Sequence, residues 1–241
     1  MHHSIRFHVR EGRLPFTVAV LSIAASMLLA GRAHAADLSG NVSFTSDDVW
    51  RGSTQTLGKP AVQGGLKITT ANGFYASAWG SNVDFGPAIG ANLEVDTTLG
   101  WNHAIGKDWS IDASAVRYNY PHTQVGIDWN EVNVSMGWRD RAWFGIAASS
   151  NAMATRHFGA YGYAGVRIPA GERLRFEFDA AHYALRDGLG DYNRASASAI
   201  WTVKKPLELR ITAHATDAAA RRRFGDDNAG SRLEAALQTT F

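Results

Sequence analysis

The chain has 241 residues, 24 Lys and Arg against 22 Asp and Glu, frequent glycine and tryptophan, and no cysteine. The lack of cysteine excludes disulfides, thiol catalysis and cysteine-held metals. The small basic excess comes from the first 35 residues, so the net charge is no footprint for a nucleic-acid partner.

Those 35 residues have the three parts of a secretory signal peptide. Arg6, Arg10 and Arg13 form the positive region, Phe16 to Ala30 the apolar run, and Ala33-His34-Ala35 the cleavage signal. The apolar run is too short for a spanning helix and lies against the cleavage signal. Cleavage before Ala36 would remove Arg6, Arg10, Arg13, Arg32 and Glu11, leaving 20 basic and 21 acidic residues in a mature domain of residues 36–241. That domain has no run of about 18 apolar residues, so it offers no transmembrane helix. A periplasmic, secreted or outer-membrane protein remains.

From Asn41 onward the pattern has period two, which places alternate side chains on opposite faces of a strand. Segments at 42–50, 61–70, 74–83, 109–120, 143–150 and 158–168 alternate weakly. Leu93 to Trp101 is the clearest, with Leu93, Val95, Thr97 and Leu99 set against Glu94, Asp96, Thr98 and Gly100. Glu131 to Trp138, Arg173 to Tyr183, Ala195 to Val203, Leu207 to Ala215 and Ser231 to Phe241 repeat the pattern. The spacing predicts about twelve strands of roughly ten residues each.

Short turns, such as Ala71-Asn72-Gly73 and Lys204-Lys205-Pro206, alternate with longer loops at 51–60, 84–91, 121–127, 151–157, 185–193 and 216–230. A soluble sandwich has no need of that alternation, whereas an outer-membrane β-barrel has short turns at one end and long loops at the other. Trp101, Trp109, Trp138, Trp143 and Trp201 lie near short turns, and Trp50, Trp129, Tyr118, Tyr120 and Tyr183 near long loops. This placement fits aromatic girdles at two membrane interfaces. The fold class predicted is therefore an all-β, transmembrane antiparallel barrel in the bacterial outer membrane.

The last strand resembles the closing strand of such barrels, whose terminal aromatic, here Phe241, is an assembly signal for the barrel-insertion machinery. Closure requires it to pair with the first strand, read as Asn41 to Trp50, because an open sheet edge in hydrocarbon leaves backbone groups unpaired.

A second resemblance covers the first third. Asn41-Val42-Ser43-Phe44-Thr45-Ser46-Asp47-Asp48-Val49-Trp50-Arg51-Gly52 is followed by Gln55-Thr56, by Pro60-Ala61-Val62-Gln63-Gly64-Gly65, and by Trp79-Gly80-Ser81-Asn82. Together these resemble the TorF-type porins, a proteobacterial family; the marker residues are Arg51, Gly52, Gln55, Pro60, Gly64, Trp79, Ser81 and Asn82. The resemblance implies an outer-membrane barrel and a pore. It departs from the family at Asp48, where an aromatic is usual.

If the apolar faces meet lipid, the opposite faces line the lumen. They carry Glu94, Asp96, Glu131, Arg173, Arg175, Glu177, Asp179, Glu208, Arg210, Arg232 and Glu234. Interleaved acids and bases either line a water-filled channel or pair across a narrow bore and close it. The expected function is passive diffusion of small hydrophilic solutes, with a plugged structural or adhesive barrel as the alternative. The expected partners are outer-membrane lipid and lipopolysaccharide, the insertion machinery and those solutes, with no nucleic acid. The run Arg221-Arg222-Arg223 could meet lipopolysaccharide phosphates, although Asp226 and Asp227 beside it favour a solvated loop.

An enzyme is the rival class. His103, His122, His157, His182 and His214 lack any recognised hydrolase, zincin or nucleotide-loop context. Asp187, Asp191 and Asp226 to Asn228 lack the spacing of a calcium loop. No enzyme activity, no cofactor and no metal are expected.

Overall fold

The computed structural model describes residues 36–241, and the segment read as a signal peptide lies outside the described residues. The wall strands of the first half are β1 (Asp37–Thr45), β4 (Ala61–Thr69), β5 (Phe74–Asn82), β6 (Leu93–Ile105), β7 (Trp109–Asn119) and β8 (Trp129–Trp138). Those of the second half are β9 (Ala142–Ser149), β10 (Gly159–Pro169), β11 (Leu174–Leu185), β12 (Tyr192–Lys204), β13 (Leu207–Thr216) and β14 (Arg232–Thr240). Two short strands, β2 (Val49–Trp50) and β3 (Ser53–Thr54), pair only with each other.

The twelve wall strands form a closed antiparallel barrel in which β1 lies between β14 and β4. Closure leaves no sheet edge, as hydrocarbon requires. Asn41 faces Thr240 and Thr45 faces Ala236 across the seam. Gly40 and Phe241 exchange backbone hydrogen bonds of 2.8 and 3.0 Å. A Cβ on Gly40 would lie 2.5 Å from the Phe241 ring, so glycine makes room for the terminal aromatic.

The two faces separate as a membrane barrel demands. Leu38, Phe44, Val132, Ile146, Phe178 and Leu233 all point outward and are exposed on the protein's own surface, where hydrocarbon would cover them. Cross-strand register puts Glu94 beside Ser81 and Asp96 beside Trp79 on the inner face. Among the described residues no helix is long and apolar enough to cross a membrane.

Two expectations need correcting. The first wall strand runs Asp37–Thr45 and does not continue to Trp50; the chain turns into the bore just beyond it. Asp47 holds the turned segment together, its carboxylate accepting hydrogen bonds from the hydroxyls of Thr54 and Thr56. The long-loop aromatic girdle is also not what was read. Trp109, Trp138 and Trp201 do face outward at the short-turn end, whereas Trp143 turns inward beneath Arg167, and Trp50, Tyr118, Trp129 and Tyr183 pack together inside the barrel.

The loop 216–230 likewise contains structure that its charge run hid. Helix α1 (Ala218–Phe224) starts at Asp217, whose carboxylate accepts from the Ala219 and Ala220 amides.

Candidate pore constriction

The first long loop, residues 46–60, folds into the barrel mouth. Its hairpin pairs Val49 with Thr54 and Trp50 with Ser53. Arg51 and Gly52 form the turn with φ of 47° and 86°, and positive φ at both central positions is the tight-hairpin geometry that glycine favours. Gly52 also permits close approach, since a Cβ there would lie 2.4 Å from Thr216 Cγ2.

The hairpin starts between β1 and β4 and reaches the far wall. Trp50 packs edge-on against Tyr118 of β7, Trp129 of β8 and Tyr183 of β11, with ring centroids 5.9–6.4 Å apart. Tyr118 and Trp129 are stacked at 4.2 Å. The Arg51 guanidinium sits 4.0 Å from the Tyr161 ring, 4.5 Å from Trp50 and 4.9 Å from Tyr183. Its Nη2 donates to Glu131 Oε1 at 2.6 Å, and the two side chains are 9% and 1% exposed. Burial works against charge on Arg51, but Glu131 more than offsets it and holds the guanidinium charged above its ordinary range. Glu131 is held in turn by Tyr118 Oη at 3.3 Å and Asn133 Nδ2 at 3.1 Å.

A second anchor lies at the root of the hairpin. Asp47 pairs with Arg232, and Thr45 Oγ1 donates to Glu234 at 2.9 Å. His214 Nε2 meets the other Glu234 oxygen at 2.9 Å. Burial pushes Asp48 from the ordinary 3.8 up to about 6; Ser81 and Gln63 act against that rise, and the Glu234 and Asp47 carboxylates add to it.

Among the remaining marker residues, Gln55, Pro60 and Asn82 tie down the same loop. Asn82 clips its exit, accepting from the Val62 amide at 2.8 Å and donating to the Pro60 carbonyl at 3.2 Å. The Gln55 carbonyl accepts from Asp84 N at 2.8 Å. Ser81 and Trp79 lie on the inner wall, and Gly64 on the outer face of β4.

Of the charged residues read as lining the lumen, Arg173 lies in the exposed turn before β11 rather than on a strand. The others share the inner register. On β10–β13 they form a ladder of ion pairs. Arg175 meets Glu208 at 2.5 Å and Glu177 at 3.2 Å, Arg167 meets Glu177 at 2.9 Å, and Arg194 pairs with Asp179. Arg210 lies 3.6 Å from Glu177. Across the bore on β6, Glu94 accepts from Tyr120 Oη at 2.9 Å. Arg167–Glu177 and Arg194–Asp179 join adjacent strands, Arg175–Glu208 and Arg210–Glu177 reach over β12 from β11 to β13, and Arg175–Glu177 lies within β11, so the pairs follow one stretch of wall. Below the hairpin, Asn41, Ser43, Gln63, Arg210, His214 and Glu234 line a polar cavity of about 380 Å³. Among the described residues no group of three metal-ligating side chains is assembled.

Sequence reasoning missed the hairpin and its aromatic sockets. A tryptophan, an arginine and a glycine in succession inside a hydroxyl-rich loop, Val49 to Thr56, were the available signal.

Among solved structures, the chain is similar to the NanC porin at 13% identity and a TM-score of 0.51, covering 85% of this chain and 99% of that one. It is similar to the KdgM porin at 8% identity and a TM-score of 0.55, covering 84% and 99%. A KdgM porin structure in complex with disordered oligogalacturonate matches at 6% identity and a TM-score of 0.52, covering 86% and 99%. At these identities the likeness is one of fold. Among curated proteins no relative matches the sequence. The profile described as "Bacterial protein of unknown function (Gcw_chp)" matches residues 29–198, and the chain therefore belongs to the Gcw_chp family.

Proposed function

We propose that this protein is an outer-membrane channel for passive diffusion of small hydrophilic solutes, narrowed at its long-loop mouth by the 49–54 hairpin. One observation carries the reading. The bore is walled by charged side chains that pair along the wall, leaving a polar cavity beneath a hairpin that makes no ladder with the wall. The exported location, the signal peptide of residues 1–35, the absence of catalysis and the kinship with TorF-type porins belong to the same proposal.

Its support is physical. An outward apolar surface belongs in hydrocarbon, and a charged inner wall belongs beside water. The solved neighbours are porins, one of them in complex with disordered oligogalacturonate. Arg167, Arg175 and Arg210 would face such an anion here. Each is already beside Glu177, and Arg175 also beside Glu208, so no sign of charge is assigned to the solute.

A plugged structural barrel is the second reading, favoured by the depth at which Arg51 is buried. Liposome swelling separates the two. Vesicles holding the refolded barrel are expected to swell in small neutral sugars and to slow with solute size. Vesicles that do not swell, with the barrel shown to be inserted, favour the plug.

A further inference from the structure

Above the hairpin, on the long-loop side, the first, second, third, fourth and sixth long loops surround a second cavity of about 370 Å³. That volume lies at the lower end of the range of small-molecule sites, and like them it is mostly apolar with a few polar groups. Trp50 forms part of its lining, together with Phe85, Tyr120 and Phe224. These four rings are half-buried, so part of each remains accessible. Phe85 and Tyr120 lie with centroids 5.5 Å apart and planes tilted by 52°.

The charged groups around this cup are already neutralised by each other. Asp84 pairs with Lys59 at 2.8 Å. Arg223 pairs bidentately with Asp187 at 2.6 and 2.7 Å. An ionic ligand would have to break one of these pairs, so the lining selects against charge. Uncharged polar groups are nevertheless present. The side-chain amides of Gln55 and Asn228 each donate an N–H to a backbone carbonyl, at 3.1 and 2.9 Å. Among the described residues their side-chain oxygens accept no protein hydrogen bond, which leaves them as acceptors for hydroxyl groups.

We infer that this cup is a binding site for an uncharged pyranose sugar, whose C–H faces would lie on the aromatic rings while its hydroxyls donate to Gln55 and Asn228. Aromatic faces joined to a few amide oxygens match a molecule with apolar faces and a polar edge better than they match an ion or a plain hydrocarbon ring. The site is distinct from the charged bore beneath the hairpin, and its occupancy does not require conduction.

The test reads binding without current, so its failure leaves the channel reading untouched. The refolded full barrel is held in an amine-oxide detergent, because a glycoside detergent would compete. Tryptophan fluorescence is followed during titration with methyl β-glucopyranoside, with the corresponding methyl glucuronide, and with cyclohexanol. The expected result is a saturable change with the glucoside and a weaker response to the glucuronide and to cyclohexanol. Phe85→Ala with Phe224→Ala removes two of the stacking rings and should weaken the glucoside by roughly tenfold, which is about 1.4 kcal/mol. Circular dichroism confirms the barrel, and Phe85→Ala alone is used if the pair does not fold. No saturation with the glucoside, an equal or stronger response to either comparison compound, or binding unchanged by the substitutions would each overturn the inference.

Discussion

Arg51 is the residue on which the hairpin's position turns. Its partners, Glu131, Tyr161 and Tyr183, come from three wall strands, so their convergence could not be read from the local sequence. The residue itself stood out as a family marker, yet a marker says nothing of where a side chain is buried. Removing one member of a buried, hydrogen-bonded pair leaves the other charge desolvated and costs about 3–5 kcal/mol. Glu131→Gln should therefore release the hairpin, seen as loss of amide-exchange protection at residues 49–54 with the wall strands still protected. Arg51→Lys should release it too, because an ammonium cannot spread over three rings as a planar guanidinium does. Asp48 adds a pH dependence of definite sign. Its pKa is about 6 with the hairpin docked against an ordinary 3.8 when it is released, so the docked form binds the extra proton. Docking is fully favoured below about pH 4 and weakens as pH rises to about 6, by up to roughly 3 kcal/mol. Hairpin protection, corrected for intrinsic exchange, should fall across that window in the wild type and stay level in Asp48→Asn.

At the scale of elements, the strands were legible because period-two alternation records which face meets apolar surroundings. Ser231 to Phe241 and Leu93 to Trp101 show it in full, and both are wall strands with the predicted faces. The 46–60 segment was not legible. Its strands have two residues each, too few to show a period, and its buried side chains are polar, with Asp47 held by Thr54 and Thr56 of the same loop and by Arg232 from near the end of the chain. Arg221 to Arg223 misled in another way. The run looked like a solvated loop, but Arg223 turns inward from α1 to a buried pair with Asp187, whose carboxyl it holds down at about 2. The seam of the barrel gives an element-level prediction. Gly40→Val would drive a side chain into the Phe241 ring, so it should lower the yield of folded barrel about as much as deleting Phe241. Gly64→Ala, whose added carbon would meet its nearest atom at 3.5 Å, should be nearly silent. Gel mobility before and after heating, which separates folded from unfolded barrels, reads both results.

The whole molecule combines a rigid closed wall with an inserted loop of separate hydrogen bonding. The wall was predictable from turn lengths and face alternation, since both follow from crossing a bilayer as strands. The bore's aperture was not, because it depends on how one loop packs against side chains gathered from the wall. Single-channel conductance of the refolded protein in a planar bilayer, beside a variant in which residues 49–54 are replaced by a short glycine-serine linker, tests the central claim that this hairpin sets the opening. The account predicts small or interrupted steps from the wild type and larger, longer steps from the variant. Equal steps from the two proteins, or silence from a variant shown to be folded and inserted, would contradict it.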